Sequence, residues 1–205
     1  MTTKIAGHEF QREILRRAAA ENVVSHAYLF SGPDGVGKKL VALEFAGIVN
    51  CKSGGVSPSE CDCGSCRKVE KGIHPDVVMV EFAGVRNIKV DQVRDEIEEK
   101  LYLKPFEGRF KIVIVDEAEK LNNSAQNAFL KTLEEPPPAS IIILVTSRPG
   151  ALLPTIRSRC QPLNFGTLPE RYVAEVLTEK SGLSPDEAEL YARVSSGSLG
   201  AALRL

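Results

Sequence analysis

Residues 32–39 read Gly-Pro-Asp-Gly-Val-Gly-Lys-Lys. Up to its last position this is the phosphate-loop pattern Gly-x4-Gly-Lys-[Ser/Thr], and few short patterns demand so much of the fold around them. Gly32, Gly35, Val36, Gly37 and Lys38 curl backbone N–H groups around a nucleotide's phosphates and bring an ammonium to the β/γ oxygens. The geometry requires a strand before the loop and a helix after it. The pattern ends in a hydroxyl that holds Mg²⁺, and here that position is Lys39. An ammonium cannot ligate a metal, so ATP binding with Mg²⁺ is expected to be weak. Binding and hydrolysis become separate questions.

The flanking sequence supplies the required context. The apolar run 27–30 enters the loop, and residues 39–49 resume helical periodicity. Four later runs, 77–81, 112–115, 141–145 and 162–165, alternate with helical or loop segments. Among these, 90–103 reads as a helix, and 123–134 as another that stops before Pro136, Pro137 and Pro138. Such alternation predicts an α/β fold, a doubly wound parallel sheet flanked by helices. An amphipathic helix over 8–22 precedes it, with Phe10, Ile14, Leu15 and Ala18 on one face and Arg12, Arg16 and Arg17 on the other. Beyond residue 168 the strand signal stops, and 169–180, 184–194 and 198–205 read as three amphipathic helices. The expected division is a nucleotide-binding-type domain over 1–166 and a small all-α helical lid over 167–205, which the 205 residues can accommodate. The last helix lacks a stop signal, which suggests a longer native chain.

Charge and hydropathy narrow the partners. A net charge of −1 gives no global basic field for nucleic acid, so DNA contact would rest on a local patch or on other subunits. No apolar run approaches the ~18 residues of a membrane span, and no signal-peptide core is present. A cytoplasmic protein with no membrane association is expected.

Several side chains are candidates for chemistry. Asp116 and Glu117 end the buried run 111–115, where an acid binds Mg²⁺ and a following Glu polarises attacking water in phosphate-loop enzymes; the alternative is an acidic helix cap. Thr146 and Ser147, at the end of the 141–145 run, face the crevice where a polar group senses a γ-phosphate. Cys51, Cys61, Cys63 and Cys66 lie in a Gly/Ser/Pro-rich insertion within about 50–67. Four thiolates satisfy tetrahedral Zn²⁺, and so polar a loop needs a staple; with no open position the site would be structural. The Cys61/Cys63 gap is one residue rather than the usual two. Arg159, in Ser158-Arg159-Cys160 and preceded by Arg157, reads from its residues alone as a solvated arginine. His74, before Pro75-Asp76, reads as a turn residue, and His26 precedes the first strand, where a ring can meet a base, the less frequent of its two readings.

Taken together, His26-Ala27-Tyr28-Leu29-Phe30, the four-Cys insertion, His74-Pro75-Asp76, Val115-Asp116-Glu117-Ala118-Glu119, the segment 128–137 (Ala-Phe-Leu-Lys-Thr-Leu-Glu-Glu-Pro-Pro) and Ser158-Arg159-Cys160 resemble the bacterial clamp-loader subunits of the AAA+ ATPase superfamily. The resemblance covers nearly the whole chain. It implies an AAA+ phosphate-loop core with a zinc module and a helical lid, and a third, collar domain that this sequence would lack. It implies work in DNA replication within the DNA polymerase III holoenzyme, a nucleotidyltransferase assembly, where a pentamer opens a sliding clamp and loads it on primed DNA. Implied partners are gamma/tau motor subunits, a delta subunit and the clamp. Two subunit types fit: the gamma/tau ATPase and the stator-like delta prime subunit, whose own ATPase activity would be weak or absent. The motor type has Thr where this chain has Lys39, and a lid Arg where Gly200 follows Gly197-Ser198-Leu199, so delta prime is the better match. By the same resemblance, Arg159 reaches in trans into a neighbouring motor subunit's ATP site, while Asp116 and Glu117 persist as a vestigial acidic pair.

Overall fold

The computed structural model of the chain describes residues 5, 7–55, 57–81 and 94–205. Five strands form one sheet: β1 Ala27–Ser31, β2 Val77–Val80, β3 Lys111–Val115, β4 Ser140–Thr146 and β5 Gln161–Asn164. Their order is β2-β3-β4-β1-β5, and every pairing is parallel. The doubly wound expectation is met. The three central strands, β1, β3 and β4, are buried along their whole length, which is why they read as unbroken apolar runs rather than as alternation.

The period of two sorts their residues between two apolar layers. Leu29, Val113, Val115, Ile142 and Leu144 pack with Phe129 and Leu133 of a helix over Asn123–Glu134. Tyr28, Phe30, Ile112, Ile114 and Ile143 face the other way, onto Val41 and Phe45 of α2, Lys38–Val49. Full burial of a side chain such as Phe30 stabilises the sheet by about 1.5–3 kcal/mol. Helix α1, Glu9–Ala20, covers the same face as α2. Its arginine face is recruited inward: Arg12 Nε and Nη2 each donate at 2.7 Å to Glu44 of α2, a bidentate pair. Strand order reverses at β1, so the carboxyl ends of β1, β3 and β4 converge on one crevice, the place such sheets reserve for ligands.

After β5 the chain makes helices over Glu170–Ser181, Pro185–Val194 and Leu199–Ala202, which enclose a third apolar cluster of Leu168, Val173, Leu177, Ala188, Ala192 and Ala202. Ser184 and Glu187 close a reciprocal capping box at the start of the middle helix. Gly197, at φ 78, lies so close to the preceding segment that a Cβ there would meet the Leu168 carbonyl at 2.4 Å.

Three expectations need correction. The helix expected over 90–103 is a π-helical turn at Arg94–Glu98 followed by α-helix only at Glu99–Leu101, its first residues lying outside those described. The last helix stops at Ala202, short of residue 205. The cysteine insertion is not all loop: Gly64–Glu70 is helical, with Cys63 as its N-cap. A seven-residue helix amid Gly and Ser has too weak a periodicity to be seen in sequence.

Candidate functional site

The phosphate loop joins β1 to α2, and its fold depends on left-handed glycines, Gly35 at φ 72 and Gly37 at φ 105. Its lysine is folded back: Lys38 Nζ donates to the Gly32 carbonyl at 2.8 Å and to the Pro33 carbonyl at 2.6 Å. Burial lowers the Lys38 pKa against the opposing pull of Asp34, Glu119 and Asp116. The lid rests directly on the loop. Gly200 N–H donates to the Gly35 carbonyl at 2.8 Å, and Ser198 Oγ donates to the Asp34 carbonyl at 2.8 Å. A Cβ on Gly200 would stand 2.8 Å from the Gly35 Cα, so this backbone-to-backbone contact needs glycine. His8 adds a third tie, its Nε2 lying 2.7 Å from the Val36 carbonyl oxygen. Beside the loop remains a cavity of about 260 Å³ lined by Asp34, Gly35, Lys38, Asp116 and, across from them, Leu199 and Leu203.

Lys39 is the decisive departure. Its Nζ forms an ion pair with Glu81, the residue after β2, and lies 3.4 Å from Asp116 Oδ2, just beyond β3. Burial acts to lower its pKa, but Glu81 and Asp116 outweigh burial and raise it, so the side chain stays an ammonium. Asp116 spends its other oxygen, Oδ1, on the Glu117 N–H at 3.0 Å. The donor set that would hold Mg²⁺ is therefore half replaced by a cation, and a second cation at Asp116 would meet Coulomb repulsion of about 4 kcal/mol per unit charge at 4 Å, taking an effective dielectric constant of 20. These residues do not fit a bound Mg²⁺.

The other expected groups are distributed differently. Glu117 turns out toward solvent and pairs with Lys120 at 2.6 Å. Thr146 is buried at the end of β4, its Oγ1 accepting the Arg148 N–H at 3.1 Å. Ser147 is engaged by a residue that the motif reading passed over, Glu119, whose Oε1 accepts Ser147 Oγ at 2.5 Å and Ser147 N–H at 3.3 Å. Burial raises the Glu119 pKa, but the Ser147 and Thr146 hydroxyls outweigh it and leave the carboxyl ionised; its Oε2 is buried without a partner among the described residues. The available signal was an acid two residues beyond the Asp-Glu pair, opposite a Thr-Ser step on the neighbouring strand. Gln126, 1% exposed, was also missed; it donates to the carbonyls of Leu121 and Ala151 and accepts from Leu153 N–H.

Gln126 thereby fixes the start of the short helix Pro154–Arg157 that leads to Arg159. Arg159 is partly exposed; its Nη2 donates to Glu134 at 2.7 Å and its Nη1 to the Thr155 carbonyl at 3.0 Å. It is held by the end of helix Asn123–Glu134, and the cavity beside its own chain's loop is lined by other residues. Arg157 is exposed, as is His26. His74 is a structural residue: its Nδ1 accepts the Asp76 N–H at 3.0 Å and its Nε2 meets Ser65 Oγ at 3.0 Å.

At the far end of α2 the four cysteines converge. The sulfurs of Cys51, Cys61, Cys63 and Cys66 all lie within 4.8 Å of one another, and those of Cys51 and Cys61 are 3.7 Å apart. A tetrahedron with Zn–S bonds of ~2.3 Å separates its sulfurs by ~3.8 Å, so the donor set fits that ion. Cys61 belongs to the cluster despite its short spacing. Burial opposes ionisation of Cys63, but N–H groups of Cys66 and Lys52 bring its thiol down to about 6, whereas burial pushes Cys66 well up. Among the described residues, no helix is long and apolar enough to cross a membrane.

The family model described as DNA polymerase III, delta subunit, matches residues 7–169. The tau subunit of DNA polymerase III from Bacillus subtilis is 37% identical over 95% of this chain and 33% of its own length. The delta' subunit of the same organism is 35% identical over 90% of this chain and 55% of its own. This chain thus spans about a third to just over half of those relatives. Among solved structures, a gamma subunit-related protein of Thermotoga maritima superposes with a TM-score of 0.67 at 28% identity, covering 95% of this chain and 56% of that one. The RuvB branch-migration motor of the same organism has a TM-score of 0.64 at 18% identity over 97% of this chain and 60% of its own, a likeness of fold alone. With a parallel AAA+ sheet, a phosphate loop and a family match over most of its length, the chain belongs to the clamp-loader subunit family of DNA polymerase III.

Proposed function

We propose that the chain acts in the cytoplasm as a delta-prime-type clamp-loader subunit, one that does not turn over ATP itself but supplies Arg159 to the ATP site of a neighbouring gamma/tau motor subunit. With a delta subunit, it helps open a sliding clamp and place it on primed DNA. The observation that carries this reading is the Lys39 ammonium on Asp116, because the carboxylate that would otherwise hold Mg²⁺ is already paired. The Gly200–Gly35 contact supports it: the lid position where a γ-phosphate sensor would stand is packed against the loop's backbone. Arg159 is tethered by two contacts at its chain's surface, so it is both pre-oriented and displaceable. The reading keeps a nucleotide-binding-type domain over 1–166 and a lid over 167–205, a division supported by the separate apolar cluster of Leu168, Val173, Leu177, Ala188, Ala192 and Ala202.

Zn²⁺ on Cys51, Cys61, Cys63 and Cys66 completes the proposal as a structural ion. It would supply charge neutralisation and cross-linking to a segment with few buried apolar residues, and no reaction step.

Replacing Arg159 with Ala tests the reading in the reconstituted complex. Turnover at the one motor site that Arg159 faces should fall by ~10³–10⁵, the range such a finger supplies, which lowers the ATPase of the complex by that site's share, while folding of the isolated subunit is unchanged. Unaltered ATPase would remove the role. The second reading, a gamma/tau-type ATPase, is favoured by the 37% identity to a tau subunit and by the persistence of Asp116 and Glu117. Phosphate release by the isolated chain, abolished by Lys38→Ala, would establish it.

A further inference from the structure

Beside the cysteine cluster, the loop that leads into β3 takes its order from two buried side chains. Five consecutive N–H groups donate to them: Phe106, Glu107 and Gly108 to the Asp76 carboxylate at 2.7, 2.8 and 2.7 Å, and Arg109 and Phe110 to Asn50 Oδ1, each at 2.9 Å. Asn50 Nδ2 returns a bond to the Phe110 carbonyl at 2.9 Å. We propose that the zinc module is a metal-dependent clasp for this loop: a buried relay through Ser65, Asn50 and His74 joins the cysteine cluster to residues 106–110, and loss of the ion loosens them. The clasp rests on the structural-zinc reading and extends it from the insertion to a second segment.

The relay starts at two neighbours of the cysteines. Asn50 precedes Cys51 and Ser65 precedes Cys66, so fixing those sulfurs fixes the adjoining backbone. Ser65, wholly buried, donates its Oγ to the Asn50 carbonyl at 2.7 Å and meets His74 Nε2 at 3.0 Å. Because His74 Nδ1 accepts the Asp76 N–H at 3.0 Å, the neutral ring carries its proton on Nε2 and donates it to Ser65. A second tie runs nearer the surface. Lys68 of the helix Gly64–Glu70 donates to both Glu107 oxygens at 2.6 and 2.8 Å, and Lys52, next after Cys51, lies 3.6 Å from the same carboxylate. The fit has no slack, since a Cβ on Gly108 would stand 2.7 Å from Asn50 Cγ.

The helix that carries Ser65 and Lys68 has seven residues, well short of the ~12–15 at which an isolated helix is even marginal, and its N-cap is Cys63. A bound ion would cross-link its first turn to Cys51; without that link it frays and takes Ser65 and Lys68 with it. Asp76 is anchored elsewhere, its carbonyl accepting Ile112 N–H of β3 at 2.8 Å and its carboxylate lying 3.5 Å from Lys111 Nζ. The loop should therefore respond unevenly, more at Arg109 and Phe110 on Asn50 than at Phe106–Gly108 on Asp76. Its outer side carries Phe106, 83% exposed, and Arg109, whose guanidinium lies 5.0 Å from the Phe110 ring centroid. The metal centre thus sets a surface that none of its own ligands forms.

Amide hydrogen exchange of the zinc-loaded chain, read residue by residue by NMR with metal content measured on the same samples, tests the clasp. Chelation should speed exchange about tenfold at Arg109 and Phe110 and less at Phe106–Gly108, with β3 and β4 unchanged. Ser65→Ala keeps all four cysteines and the zinc, yet leaves the Asn50 carbonyl and His74 Nε2 without their hydroxyl, and should speed exchange at Arg109 and Phe110 likewise. That variant carries the test if chelation also unfolds the sheet. Exchange that quickens within 51–70 on chelation but not at 106–110, or a zinc-loaded Ser65→Ala whose loop behaves as wild type, would overturn the clasp and leave the structural zinc standing. A chain that binds no zinc would sink both.

Discussion

The two ends of α2 carry two loops built from the same small, polar residues, and they reach opposite solutions. At its N-terminus, Gly32–Lys38 is satisfied from within: its lysine caps its own carbonyls, its neighbour Lys39 is neutralised by two carboxylates, and the lid's backbone closes on Gly35. At its C-terminus, ~18 Å away, Cys51–Cys66 brings four soft donors to one point and leaves their charge to be balanced from outside. A motif that names a ligand thus says little about whether the ligand is needed. What decides is whether the protein has already supplied the missing charge.

The widest break in this contrast is expected at the cysteines. Structural zinc contributes ~10–16 kcal/mol to the folding of isolated zinc-finger peptides, so removing it here should melt the insertion while sparing the sheet. One zinc per chain by mass spectrometry, and rapid proteolysis within 51–66 after chelation or in Cys66→Ala, would establish this; a metal-free chain with an unchanged cleavage pattern would erase the distinction between the two loops.

Glu44 lies on α2 between them and ties both sides together, accepting from Arg12 and from Ser57 Oγ at 2.9 Å. Its truncation to Ala leaves Arg12 mostly buried and uncompensated, and should cost about 3 kcal/mol by urea denaturation. Burial pushes the Glu44 carboxyl up, but Arg12 and Ser57 prevail and hold it below the usual carboxylate range. Because the folded pKa is depressed, the stabilisation is fully present above the unfolded value of about 4.3 and is lost as the pH falls through the folded value. The gap between wild type and Glu44→Gln should therefore narrow below about pH 4; a gap that widens there would show the carboxylate to be a burden.

Gly35→Ala probes the self-satisfied loop at a smaller scale. At φ 72, with a new Cβ 2.5 Å from Ser198 Oγ and 3.1 Å from the Gly200 Cα, it should lose about 1–3 kcal/mol and expose the Gly200 amide to hydrogen exchange. Undiminished protection of that amide would mean that the lid is not held through the loop. The smallest effect belongs to Glu117, exposed and, among the described residues, paired with Lys120 alone, where Ala should change stability by less than about 0.5 kcal/mol. A larger loss would show that the acid has a partner inside the site after all.

The sheet was legible because its central strands are buried on both faces, and β-branched runs such as 111–115 and 140–146 have few other uses. The four thiols were legible because soft ligands that close in sequence reach one ion with little chain to order. Legibility failed where order is local and weak, as in the helix Gly64–Glu70, or irregular, as in the π-helical turn at Arg94–Glu98. It failed also for Glu119 and Gln126, polar residues whose burial depends on what packs above them.

By itself the sequence determined that a phosphate loop enters a parallel sheet, that its final hydroxyl is missing, and that four cysteines form one set. Tertiary structure alone decided what Lys39 does. Its partners Glu81 and Asp116 are 42 and 77 residues away along the chain, brought within reach only because β2 and β3 are neighbours in the sheet. Coulomb attraction depends on separation in space and on the local dielectric, and neither is a function of position in the sequence.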